Sequence, residues 1–269
     1  MSLVTIKPTE LPISLDQEIA RNKISRLLQG ADEKGGIDSF IEALEKKHRF
    51  FNDALIRDAL SQLQAGDVEI LLETVFTARR KLNLHAITIS HQELVEAIEQ
   101  LLYGSEADVN QRLDLFVQTL GFTERKMQRA VWDWGAEMLH YTSPEAIPLM
   151  SRWVWDAKVQ SGAMREFIRG GDSMNEIPLT QTPGEFEAAR VWIAERLREQ
   201  GFYRDIAMLT NLVLAQAYTD YVLGMSKGLG MFESEFGGKL EPIEFIAKLL
   251  GIEPARRNGK SRVKKQILQ

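Results

Sequence analysis

The chain has 269 residues, 44% of them hydrophobic and 26% charged, and it has no cysteine. That length and balance suit a core built without covalent staples, and they exclude disulfides, thiolate-held zinc, iron–sulfur clusters and a cysteine nucleophile. The formal net charge of −5 hides an asymmetry. Residues 254–269 hold Arg256, Arg257, Lys260, Arg262, Lys264 and Lys265 with no acid, which leaves 27 basic against 38 acidic residues elsewhere, near −11.

The opening stretch, MSLVTIKPTELPISL, lacks a basic segment followed by an apolar run, and no window reaches the ~18 continuous apolar residues of a membrane span. With the missing cysteine, this leads us to expect a cytoplasmic protein without membrane contact.

Helical spacing then dominates to about residue 168. Ile37, Phe40, Ile41, Leu44, Phe51 and Leu55 recur every three or four residues, and Asp38 is the expected N-cap of their helix. A second helix is expected from Asp67, after Gly66, with Val68, Leu71, Leu72, Val75 and Phe76 on its apolar side. HAITIS at 85–90 is the best short strand candidate, and it also reads as an extended linker. Ser90 and Glu93 have capping-box spacing ahead of Leu94, Val95, Ile98, Leu101 and Leu102. A further helix is expected from Val109 to Leu120, stopped by Gly121, and another from Thr123. Pro144 is expected to open one more, since proline at a first helical position loses no hydrogen bond. Gly30, Gly66 and Gly104 each precede an acid that starts the next helix, which reads as a weak repeat of about one helical hairpin.

Three glycines and two prolines in RGGDSMNEIPLTQTPG break the pattern. Beyond it we expect a helix over 185–199, a stop at Gly201, a long apolar helix from Tyr203 to Leu223, and a short one from Pro242. Gly224, Gly228 and Gly230 around Lys227 read as a helix stop and loop rather than a phosphate cradle, because a helix leads in and no Ser or Thr follows the lysine in Walker order. The expected fold is therefore all-α: antiparallel helical hairpins forming a bundle or short solenoid-like stack, with a smaller C-terminal helical region. In domain terms, 1–168 is the hairpin domain, 169–184 a linker or long loop, 185–253 the C-terminal region, and 254–269 a basic tail expected to be flexible.

Two of the four histidines stand in Glu-x-x-His, as Glu45/His48 and Glu137/His140. On a helix, i and i+3 share a side, so each pair can meet one ion. Ferritin-like di-metal bundles use two such motifs with two further carboxylates, for which Glu73 and Glu99 are the candidates here. The opposing reading is that both histidines serve core or edge packing, with Lys46 and Lys47 marking a solvated edge. Trp132/Trp134 and Trp153/Trp155 flank the turn SPEAIP. Trp134, Tyr141 and Trp153 could line an apolar groove on a hairpin, or simply fill its core.

No nucleophile elbow or triad is legible. The reading leans away from an enzyme, toward a helical adaptor, regulator or assembly component. It would meet another protein through inter-helix grooves and the basic tail, with no cofactor. One alternative is a di-metal oxidoreductase with iron or manganese on the two Glu-x-x-His motifs. Another is a nucleic-acid-associated protein whose tail neutralises phosphates.

Overall fold

The computed structural model describes residues 5–105, 108–229 and 241–253. Among them are eleven α-helices and three short 3-10 turns. The only β pairings among the described residues are the isolated bridges Leu15–Ile168 and Asp156–Ser161. The protein is all-α. No helix among the described residues is long and apolar enough to cross a membrane.

Contacts divide the chain into two compact units that do not follow chain order. Among the described residues, one comprises 5, 43–151 and 251–253; the other comprises 6–42 and 152–250. We call them the first and second units.

The second unit opens with α1 (Gln17–Asp32), capped by the Asp16 carboxylate, which accepts from the N–H groups of Glu18 at 2.9 Å and Ile19 at 3.2 Å. Ala20, Ile24, Leu27 and Ala31 form its buried stripe. That stripe packs on α10 (Ile206–Leu229), α9 (Pro183–Glu199) and α11 (Pro242–Leu249). α10 is the axis of the unit. Residues 207–217 are buried on every side, which explains an apolar sequence without a polar face. It starts at Ile206 rather than Tyr203, and it runs to Leu229, beyond the expected stop near Leu223. A lone glycine costs about 1 kcal/mol inside a helix, so Gly224 does not end it. Lys227 and Gly228 also lie within this helix, contrary to the expected loop, and residues 230–240 lie outside the described residues.

Pro144 opens no helix. Residues 144–146 form a turn, and 148–182 run as turns and extended chain interrupted by 3-10 turns at Ala163–Phe167 and Gly171–Ser173. Gly162 explains part of the difference. It adopts φ +135°, and a Cβ there would meet the Val154 backbone, so the chain folds back tightly at this point. The Arg165 guanidinium then donates to the carbonyls of Gln160 (2.9 Å) and Met174 (2.8 Å), and Gln160 Oε1 accepts from the Ile177 N–H at 2.6 Å. Ile177 and Leu179 are buried, so the glycine- and proline-rich segment 169–184 is held by its own unit.

In the first unit, part of α2 (Ile37–Leu55) is followed by α3 (Arg57–Leu60), α4 (Ala65–Glu73), α5 (Phe76–Arg79), a 3-10 turn at Leu84–Ala86, α6 (His91–Tyr103), α7 (Val109–Thr119) and α8 (Arg125–Thr142). HAITIS thus holds a 3-10 turn and no strand. The Ser90/Glu93 capping box forms as expected, and Asp108 caps α7. Asp38 lies one residue inside α2, Asp67 closes a box with Gln64 as the third residue of α4, and α8 begins two residues after Thr123. Gly104 caps α6, but Gly30 and Gly66 lie within helices.

α8 is the counterpart of α10. It packs against α5, α6 and α7, and residues 133–141 are all buried. Gly135 makes this approach possible. A Cβ there would lie 2.9 Å from Leu113 and 3.1 Å from Phe116.

Candidate functional site

α8 carries Asp133, Glu137 and His140 into a core, so each needs a partner there. Glu137 Oε2 accepts from Lys47 Nζ at 2.8 Å, with both side chains almost fully buried. Lys47 also donates to the Thr74 carbonyl at 3.1 Å and sits 3.9 Å from the Tyr141 ring centroid. Burial pushes the lysine pKa down from 10.5 and the Glu137 carboxyl up from 4.5, while each partner pulls the other back. Burial, and then the nearby Glu137, raises the Tyr141 phenol well above its usual value.

Lys47 is the residue that the sequence reading misplaced. Beside Lys46 it looks like a solvated edge, yet it is 1% exposed. The available signal is the spacing of Leu44, Lys47, Phe51 and Leu55, a single buried stripe. His48 is only half-buried, and its Nδ1 lies 2.6 Å from the Tyr141 carbonyl. His140 Nδ1 lies 2.7 Å from the Ile147 carbonyl. A carbonyl only accepts, so Nδ1 carries the proton in both rings. Glu45 stands apart, half-exposed, 3.8 Å from Arg49. Glu99 is 3.9 Å from Arg57, and Glu73 sits half-buried at the end of α4. No three His, Asp or Glu side chains among the described residues converge as a metal site would require.

The aromatic residues are core elements of their units. Trp134 and Tyr141 are fully buried in the first, with ring contacts to Phe116 (5.8 Å) and Phe51 (5.4 Å). Trp153 is 3% exposed in the second and packs on Tyr218 at 5.8 Å. Buried at this level, they offer no groove wall to a partner. Trp153 and Trp155 sit in irregular chain, where both indoles are buried at a spacing of two. The tail cations Arg256, Arg257, Lys260, Arg262, Lys264 and Lys265 lie outside the described residues.

What the first unit does present is a pair of adjoining grooves. One, of about 450 Å³, runs between α4 and residues 79–94, with Val68, Leu72 and Leu94 at its base and Glu69, Glu73 and Arg79 along it. The other, of about 480 Å³, lies between α6 and α7, with Ala97, Leu101 and Phe116 at its base and Glu93, Glu96 and Glu99 along it. Ile89 lines both. Leu115 is 47% exposed on the wall of the second groove, large and apolar where its exposed neighbours are polar or charged.

Glu93 is engaged by the Ser90 cap, which lowers its pKa. Among the described residues, Glu96 accepts only from Gln92, at 2.9 Å, and Glu69 has no hydrogen-bond or ion-pair partner. The grooves therefore combine an apolar floor with carboxylates that an incoming cation can meet.

No family model matches the sequence, and neither the curated proteins nor the solved structures yield a match. The fold and the groove carry the functional reading by themselves.

Proposed function

We propose that this chain is a non-enzymatic helical interaction module whose α6–α7 groove takes a basic, amphipathic segment of a partner protein. The observation that carries this reading is the pairing of exposed Leu115 and the buried floor with the carboxylates Glu93, Glu96 and Glu99. Arg112, Leu115, Phe116 and Thr119 on α7 recur at helical spacing along the groove, as in sites that receive another helix. Apolar anchors on such a segment would fill the floor, and its cations would meet the rim. The acid rim disfavours phosphate, which supports a protein rather than a nucleic acid as the occupant.

The test is selection of displayed random helical peptides on the full chain. The expected binders have apolar residues at three- and four-residue spacing and an excess of Lys and Arg, and they lose at least tenfold in affinity against Leu115→Asp or Glu96→Lys. Acidic or neutral binders, or binders indifferent to both substitutions, overturn the reading.

A further inference from the structure

The basic tail begins beside the groove system. Glu253, the last described residue before it, pairs with Arg79 at 2.7 Å, and Arg79 lines the first groove. Ile89 lines both this groove and the second. Glu69 and Glu73 stand along the first part, and Glu93, Glu96 and Glu99 along the second.

The sixteen residues after Glu253 supply six cations, no acid, and the apolar residues Val263, Ile267 and Leu268. Sixteen residues cover about 24 Å as a helix and up to about 55 Å extended. Opposite charges separated by less than a Debye length, roughly 8 Å at physiological salt, attract appreciably. Tethering at Glu253 also gives the tail a high effective concentration at the groove, which no free peptide has.

We propose that residues 254–269 dock in cis along this acid-rimmed groove, cations on the carboxylates and Val263, Ile267 and Leu268 toward the apolar floor. The tail is then a built-in competitor, and a partner segment must displace it. The inference rests on the groove reading above, but it can fail separately.

Because the chain has no cysteine, two introduced thiols report only on each other. Ser261→Cys is combined with Gln100→Cys, which lines the second groove, or with Asp53→Cys, which is exposed and lines neither. Each full-length double variant is oxidised with glutathione disulfide at low protein concentration. The expected result is an intramolecular disulfide forming at least tenfold faster for the Gln100 pair than for the Asp53 pair. That advantage should fall to less than twofold in 0.5 M salt and in Glu93→Lys/Glu96→Lys/Glu99→Lys. It should return when Arg262, Lys264 and Lys265 are also changed to Glu.

The salt arm needs no surface substitution, so it stands even if the triple variant misfolds. Equal rates for the two pairs, an advantage unaffected by salt, or mainly intermolecular disulfides overturn cis docking. Displayed peptides that still select through Leu115 would then leave the interaction reading intact.

Discussion

Lys47 and Glu137 show how a single buried pair constrains a core. Removing one member leaves the other charged and dry, so Lys47→Met is expected to destabilise by about 3–5 kcal/mol, and Lys47→Met/Glu137→Met to recover most of that loss. Urea unfolding of the three proteins checks this; a double variant no more stable than the single one refutes it. The pH dependence has a definite sign. Burial lowers the folded pKa of Lys47 below 10.5. Between those two values the unfolded chain binds more protons, so stability rises with pH. Glu137 opposes that shift, so Glu137→Gln is expected to extend the rise to lower pH. Below pH 10.5, the urea midpoint of Glu137→Gln should climb faster with pH than that of Lys47→Met/Glu137→Gln, which lacks the amine; parallel profiles would refute the assignment. Glu137 itself acts at the acid end. Its folded pKa is raised above 4.5, so its contribution is present below 4.5 and is lost as pH rises through the folded value. Gly251 is constrained in another way. It adopts φ +72°, and a Cβ would collide with the Thr74 carbonyl. Gly251→Ala should therefore cost well over about 1 kcal/mol.

Helix ends follow local chemistry closely. The Thr182 hydroxyl accepts from the Glu185 N–H at 3.4 Å, and the Glu185 carboxylate accepts from the Thr182 N–H at 2.9 Å, closing a capping box ahead of Pro183. Thr182→Ala is expected to cost about 1 kcal/mol. Glu185→Ala should cost more, because Glu185 also takes the Thr180 N–H at 3.0 Å and is itself buried. Thermal unfolding of both variants checks the order. α8 shows where local reading stops. It carries Asp133, Glu137 and His140, yet neighbours cover residues 133–141 completely, and Gly135 admits them.

At the level of the whole chain, α1 is far in sequence from the helices it covers. Lys23 on α1 pairs with Glu166 at 2.5 Å and with Asp220 at 2.9 Å, and Ile24 and Leu27 are buried in the same unit. Residues 152–250 alone would expose the α10 surface that α1 covers. The expected outcome is a fragment without a cooperative thermal transition, and a cooperative one when residues 6–42 are joined to it by a linker. Circular dichroism melts decide; a cooperative fragment of 152–250 would show that α1 is dispensable.

The approximate positions of most helices, the Ser90/Glu93 capping box, the stop at Gly104 and the charge asymmetry of the tail were set by the sequence itself, because periodicity and capping depend on residues a few places apart. The all-α architecture followed from the same short-range pattern. What only tertiary structure decided is which polar residues go inside and which helices leave a groove open. Lys47 is buried because Glu137 on a distant helix receives it, and Leu115 is exposed because nothing among the described residues covers that wall. Both outcomes depend on pairs separated by tens of residues, and no local spacing encodes them.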